Sequence, residues 1–446
     1  MMMKQRTVSS PSDNASNNEP HNGTSSSPEE KKKTTPMNRT QFFVFVILTI
    51  QLLYFIVSAT RPCSHEKEEE QAKSMIPFTI QEKDSIIVFL DQLAKGATEE
   101  TPEIQNNDLP DTLTPRVFPK WKKDFPCYEP DANWWLTPIQ RSPSRTGFLF
   151  MKEMKTGSST LAGVHLRISR NEALRQGKYK LCKSRFDHSL ATTLEYGKRL
   201  KSKSFLWTVL RDPTTRATSQ FFHFGVSRQK EDPSDKNFKK YLSHGIFDNY
   251  YIFSLGMKRY GREEDIARGD DITKGVEDIL NEYDFIGITE RMDESLVVLS
   301  LLLNLPLTDV LYLKAKGSGG FDDGLYQKTC TYIVPSFVSP GMKNFFVSPA
   351  WKERIVGDDW LYQVANQSLD KTIDALGKEL VAEKVKQYKA LRMLAEDTCA
   401  AKVQYPCDAG GVLNPRAPGC LWQDSGCGNN CLDNVTETWS EKESLR

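Results

Sequence analysis

The stretch GFLFMKEMKTGSSTLAGVHLRISR, residues 147–170, reads as strand, tight polar loop and helix. Phe148, Leu149 and Phe150 form a short apolar run, as a buried central strand requires. Gly157 relieves the backbone, and Ser158, Ser159 and Thr160 stand where an amphipathic helix carrying Leu161, Val164 and Ile168 begins. Unpaired N–H groups at a helix start, the positive end of the helix dipole and nearby hydroxyls together favour a phosphate or sulfate. Lys155 adds a full positive charge beside them. The nucleoside-triphosphatase pattern puts Lys-Ser/Thr directly after the second of two glycines; here the lysine precedes a single glycine, which disfavours that class. A helix capped by Ser or Thr after a strand, with no chemistry, is the competing reading of this loop alone.

A second segment breaks the tie. In SFLWTVLRDPTTRATSQFFHFG, residues 204–225, an apolar strand over 205–210 ends in Arg211-Asp212-Pro213 and a helix follows. Arg211 leaves the carboxyl end of its strand, where open α/β sheets bind ligands. Pro213 suits a first helical turn and Ser219 lies about two turns further on, so Arg211 and Ser219 converge on one anion. Two anion sites on successive strands point to a nucleotide with phosphate groups at both ends.

These residues resemble a known family. Lys155-Thr-Gly-Ser-Ser-Thr160 is similar to the 5′-phosphosulfate loop of Golgi carbohydrate sulfotransferases, and Arg211-Asp-Pro-x-x-Arg-x-x-Ser219 to their 3′-phosphate motif. The likeness is greatest to the galactose 3-O-sulfotransferases and the heparan/uronyl 2-O-sulfotransferases. A third segment, YDFIGITERMDESLVVLSLLL at 283–303, resembles the galactose 3-O branch as a strand, turn and helix. The resemblance spans about residues 147–303. Met154 departs from it, standing where relatives commonly carry proline or histidine, and the chain diverges after Gly225.

The resemblance implies an α/β fold: a P-loop-like three-layer sandwich with a central parallel sheet flanked by helices, preceded by a single transmembrane helix. It also implies transfer of a sulfuryl group from 3′-phosphoadenosine 5′-phosphosulfate to a sugar hydroxyl, with no metal required. Lys155 would balance charge on the bridging oxygen, and Thr156, Gly157, Ser158, Ser159 and Thr160 would hold the 5′-phosphate. Arg211 and Ser219 would hold the 3′-phosphate. His188, between the two motifs, matches the histidine of the galactose 3-O and 2-O branches, and an ordinary imidazole suits general-base work. Glu153 is the other expected base, since further sulfotransferase branches use a glutamate. His165 and His223 read as packing residues.

The remaining chain sets the surroundings. Residues 1–40, rich in Ser, Pro, Asn, Thr and Lys, read as a disordered cytoplasmic tail. FFVFVILTIQLLYFIVSA, residues 42–59, is long and apolar enough to cross a bilayer, giving a signal anchor over 41–60. Lys31, Lys32, Lys33 and Arg39 precede it and Glu66, Glu68, Glu69 and Glu70 follow, so the positive-inside tendency puts the bulk of the chain in the lumen. All nine cysteines lie beyond the span, as an oxidising lumen would allow. The cluster at 407–431 lacks a Cys-x-x-Cys pair and a nearby His, which favours disulfides over zinc; the odd cysteine leaves one free thiol or one intermolecular bridge, and Cys63, beside the membrane, is the candidate for the bridge. Sequons fall at Asn366 and Asn434 on the lumenal side, and at Asn14, Asn22 and Asn38 on the other.

Residues 61–145 read as a stem, with Trp121, Trp134 and Trp135 packing on the rim of a catalytic domain at 146–400; a Cys-rich tail occupies 401–446. A weak strand is expected near 178–182, a helix from Ser189, Phe247, Tyr250, Tyr251 and Phe253 lining a core or else an acceptor groove, and a strand over 310–313 leading into a basic glycine-rich loop at 314–320 that either closes over the nucleotide or is a mobile surface loop. A net charge of +1 argues against a general nucleic-acid binder. The expected partners are a glycan, proteoglycan or glycolipid acceptor and the Golgi membrane, with a homodimer one assembly open to the chain. Two other classes compete with this reading: a sulfotransferase-like lumenal binding protein without turnover, and a glycosyltransferase, which should carry a metal-binding Asp-x-Asp after a strand. Glu263-Glu-Asp265 lies instead in a charged helical stretch.

Overall fold

The computed structural model describes residues 109–127, 146–177, 184–257, 269–314, 318–323, 330–403, 407–413 and 428–444. All of them belong to one unit, Glu103–Arg446. The tail at 1–40, the apolar span at 42–59, Trp134, Trp135, the strand expected at 178–182, Glu263 to Asp265, residues 315–317 of the basic loop, and Cys63, Cys182, Cys420 and Cys427 lie outside the described residues. Among the described residues, no helix is long and apolar enough to cross a membrane.

The apolar run around Phe148 forms β1, Gly147–Met151, and the chain turns into α1, Ser158–Arg175. β2, Ser184–Asp187, follows, then β3, Ser204–Leu210, and α2, Pro213–Gln220, which runs without a break into a π-helical segment, Phe221–Arg228. Helices α3, Asp235–Leu242, α4, Tyr250–Leu255, and α5, Gly269–Glu282, lead to β4, Phe285–Ile288, and α6, Met292–Leu303. A small hairpin of β5, Phe321–Asp323, and β6, Cys330–Tyr332, precedes α7, Pro340–Phe346, α8, Pro349–Leu376, α9, Lys378–Cys399, and α10, Asn429–Ser444.

The main sheet is parallel, in the order β2-β1-β3-β4. Every residue of β1, β3 and β4 is buried, so helices cover both faces, as a parallel sheet demands. The chain leaves β1 for β2 on one side and β3 for β4 on the other. The strand order therefore reverses between β1 and β3, and the crevice at their carboxyl ends is where such a sheet binds ligands.

The core beneath that crevice is aromatic. Phe148 stacks on His165 and Phe150 on Trp207, each with centroids 4.3 Å apart. The indole N–H of Trp207 donates to His165 Nδ1 at 3.1 Å. Burial pushes the His165 imidazole down to about 3, so it stays neutral, a packing residue as its sequence context indicates. Each buried phenylalanine of this stack contributes about 2 kcal/mol through the area it removes from water.

Three local expectations are corrected. The second strand is Ser184–Asp187, so Arg185-Phe186-Asp187 lies within the sheet rather than after it. No α-helix begins at Ser189; turns and a 3₁₀ segment, Tyr196–Lys198, take its place, with Glu195 at φ 51° breaking helical geometry. Residues 310–313 form no ladder: a 3₁₀ turn, Leu307–Val310, is followed by extended chain.

Residues 109–127 strap across the unit. Arg116 and Phe118 donate their backbone N–H groups to Ser368 Oγ at 3.0 Å and Thr372 Oγ1 at 2.9 Å on α8, while the Phe118 ring is buried against Phe285. Trp121 packs edge-on against Phe205. At the other end of the chain, α10 is tied in by Leu432 and Val435 in the core and by ion pairs from Arg167 and Arg170 of α1 to Asp433, at 2.7 and 2.8 Å. Cys330–Cys407 and Cys399–Cys431 stand at disulfide distance, with S–S separations of 2.05 and 2.03 Å.

Candidate functional site

The loop between β1 and α1 owes its shape to two left-handed residues. Lys155 has φ 66° and Gly157 φ 70°, so the chain reverses within three residues of backbone. A side chain at Gly157 would carry backbone strain and would meet the Met292 methyl at 3.1 Å, which leaves glycine the fitting residue. Lys155 bears a cost of about 1–3 kcal/mol for the same conformation, and its neighbours hold it there. Thr156 is buried and its hydroxyl donates to the Glu153 carbonyl at 3.1 Å. Thr289 Oγ1 donates to the Thr156 carbonyl at 3.0 Å, and Arg211 Nη1 donates to the Lys155 carbonyl at 3.2 Å.

Helix α1 then begins with Gly157 at its N-cap, no side-chain cap and no acidic residue in its first turn. Its leading N–H groups, the helix dipole and Lys155 leave this corner electropositive. Gly157 is exposed, Ser159 and Thr160 are half-buried and Ser158 is buried. The Thr156 hydroxyl is committed to the loop itself, so any contribution of Thr156 to an anion comes from its backbone.

Arg211 stands at the end of β3, directly across the crevice. Its guanidinium, partly exposed, reaches the Lys155 carbonyl and lies 3.9 Å from Glu290 at Nε. Asp212 caps α2 by accepting from the backbone N–H and hydroxyl of Thr215 at 2.7 and 2.6 Å, which fixes the exit angle of Pro213 and the helix bearing Ser219. Ser219 is half-buried in the last turn of α2. The turn after β4 closes the crevice: Glu290 accepts from the Asp212 N–H at 3.1 Å and from the Tyr362 hydroxyl at 3.1 Å. The three segments singled out in the sequence therefore meet at one edge of the sheet.

His188 follows β2 and is exposed. Its Nδ1 lies 2.5 Å from the Lys152 carbonyl, and since a carbonyl only accepts, Nδ1 carries the proton. In the neutral ring the lone pair is then on Nε2, the tautomer a proton acceptor needs. Glu153 is arranged quite differently. Its carboxylate is buried beneath the loop, accepting from Ser254 Oγ at 3.0 Å and from the Tyr250 hydroxyl. Burial raises it to about 6, against the opposing pull of Tyr250, Ser254 and Arg216.

Arg216, on α2, is the buried cation of this layer. Its guanidinium carbon lies 3.9 Å from the Tyr250 ring centroid and Nη1 donates to Gln220 Oε1 at 2.8 Å. Asp358 of α8 completes the group, accepting from the N–H groups of Tyr251 and Ile252 at 2.8 and 3.2 Å, and burial raises it to about 7. Both carboxyls bind a proton more tightly in the folded than in the unfolded chain. Stability therefore falls as pH rises, between 4.5 and about 6 for Glu153 and between 3.8 and about 7 for Asp358. Each slope approaches at most about 1.4 kcal/mol per pH unit. Urea unfolding from pH 4.5 to 7.5 should show the decline, and Asp358→Asn should flatten its upper part; an identical slope in that variant would refute the assignment.

Sequence reasoning assigned no site role to Ser254, Thr289 or Glu290, and placed Tyr250 and Tyr251 in a core or an acceptor groove. Thr289 and Glu290 carry the signal that exposed Arg211, a polar residue directly after an apolar strand. No local signal separates Tyr250 and Tyr251 from core tyrosines. Among the described residues, no group of three or more His, Cys, Asp or Glu side chains could hold a metal ion. No model of a known protein family matches the chain, and no curated protein does so either.

Proposed function

We propose that the chain is a carbohydrate O-sulfotransferase that moves a sulfuryl group from 3′-phosphoadenosine 5′-phosphosulfate to a hydroxyl of a glycan, proteoglycan or glycolipid, with galactose or uronic acid as the accepting sugar. The observation that carries this reading is the junction of the two anion-binding segments, Arg211 of one donating to the Lys155 carbonyl of the other at 3.2 Å. In this reading the N–H groups at the start of α1 and Lys155 hold the 5′-phosphosulfate, and Arg211 with Ser219 holds the 3′-phosphate. His188 Nε2 takes the acceptor hydroxyl proton as the new S–O bond forms and the S–O bond to the nucleotide breaks. Lys155 meets the charge that develops on the departing phosphate oxygen. Catalysis of this kind rests on positioning and charge, as in phosphoryl transfer.

The parallel sheet with its glycine-containing loop is read as the P-loop-like three-layer arrangement of that family. The apolar span at 41–60 would anchor it as a single-pass type II protein with its site in the Golgi lumen, and the disulfide-distance pairs agree with an oxidising compartment.

The test uses the full chain, expressed in secretory cells and purified in detergent. Titration with 3′-phosphoadenosine 5′-phosphate should give saturable binding that Arg211→Ala weakens at least tenfold. Radiolabelled donor should then label one class among galactosides, uronic-acid polysaccharides and glycolipids. A folded protein that does not bind the nucleotide would overturn the proposal.

A further inference from the structure

Helix α4 is six residues long, yet it reaches the loops after three strands of the sheet. The Met154 N–H donates to the Tyr250 hydroxyl at 3.4 Å, next to Lys155. The Ser254 carbonyl accepts from the Ala191 N–H at 2.9 Å, three residues beyond His188. Tyr251 serves the third: its hydroxyl accepts from the Arg211 N–H at 3.1 Å and donates to the Arg211 carbonyl at 2.9 Å. The helix is itself fixed from behind by Asp358, which accepts from the Tyr251 and Ile252 N–H groups, and by Asn249, which accepts from the Gly357 N–H at 2.7 Å.

Resting on the sulfotransferase reading above, we propose that Tyr251 is a positioning residue that aims Arg211 at the 3′-phosphate of the nucleotide. β3 ends at Leu210, so Arg211 has no strand neighbour to hold its peptide groups. One hydroxyl takes both its N–H and its carbonyl, and the root of the side chain cannot swing. The tyrosine ring that carries this hydroxyl is wholly buried. The guanidinium therefore starts from a fixed point and reaches the Lys155 carbonyl across the crevice. The order needed to bind a 3′-phosphate is built into the fold and need not be acquired on binding.

Tyr251→Phe keeps the ring and removes the hydroxyl. Equilibrium binding of 3′-phosphoadenosine 5′-phosphate and of adenosine 5′-phosphate to the full chain separates aim from general stability, since only the first ligand has the 3′-phosphate. The wild type should prefer the first. Tyr251→Phe should reduce that preference by about tenfold, the scale of one or two lost hydrogen bonds, and leave adenosine 5′-phosphate binding within about twofold. Tyr250→Phe, which removes a neighbouring hydroxyl that does not touch Arg211, should keep the wild-type preference.

A Tyr251→Phe protein with undiminished preference, or one that loses both ligands equally, would overturn the proposal, as would the same loss of preference in Tyr250→Phe. A second measurement needs no variant: the Arg211 amide, bonded to the buried Tyr251 hydroxyl, should already be strongly protected from hydrogen exchange without nucleotide, and exchange at the rate of an exposed loop amide would overturn it. A wild type with no preference between the ligands would remove the sulfotransferase reading itself.

Discussion

Replacing Lys155 with alanine is expected to lower the single-turnover rate of sulfate transfer by about a hundredfold to a thousandfold, the range lost when one preorganised charge-stabilising group is removed. The variant should fold normally. Alanine and lysine suffer the same left-handed backbone at φ 66°, and the bonds that hold the loop run through the Lys155 carbonyl and its neighbours. Binding of 3′-phosphoadenosine 5′-phosphate should weaken far less than turnover, because in the proposed reaction the charge Lys155 would meet grows mainly in the transition state. Rapid-quench transfer of radiolabelled sulfate, with thermal denaturation alongside, measures both quantities. A Lys155→Ala protein that transfers within tenfold of the wild-type rate would take Lys155 out of the reaction.

Replacing His188 with asparagine should cost about a hundredfold to ten-thousandfold in turnover, the usual contribution of a positioned general base. Asparagine can still donate to the Lys152 carbonyl, so the tie at Nδ1 is mimicked while the Nε2 lone pair is lost. The pH profile gives the sharper reading. Wild-type turnover should fall on the acid side as solvent protonates Nε2, and that limb should vanish in the variant. Because Glu153 is buried beneath the loop and bonded to Ser254, it is poorly placed to meet an acceptor. A variant that keeps the acid limb would show that another group takes the proton.

The parts of the fold that could be read from sequence are those whose signals are local. β1 and β3 carry the apolar runs 148–150 and 205–210, and α1 and α2 start after Gly157 and at Pro213; the observed strands and helix starts fall within a residue of those marks. β2 is harder because it lies at the edge of the sheet, where Ser184-Arg185-Phe186-Asp187 need not be apolar. The candidate site was legible as a meeting of segments, since those bearing Lys155 and Arg211 do touch, and a chemistry could be expected of Lys155, Arg211 and His188 from residue type alone. It was illegible where geometry alone assigns the role. Nothing around Tyr251 indicates that its hydroxyl meets a backbone forty residues earlier, or that Asp358 holds that helix from α8. Likewise, charge and cysteine content at 401–446 do not reveal that Asp433 anchors α10 to two arginines of α1.

The strap at 109–127 bears on how the protein is made. Its backbone partners on α8 lie 252 and 254 residues further along the chain. A nascent chain emerging amino end first therefore carries the strap long before its docking helix exists, and the underside of the β-sheet stays open through most of synthesis. Contacts of such long sequence separation slow folding, and an unclosed sheet invites mispairing in the meantime. A truncation ahead of α8 should yield a species that chaperones retain, however complete its loops, because the helix on which its strap docks has not yet been translated.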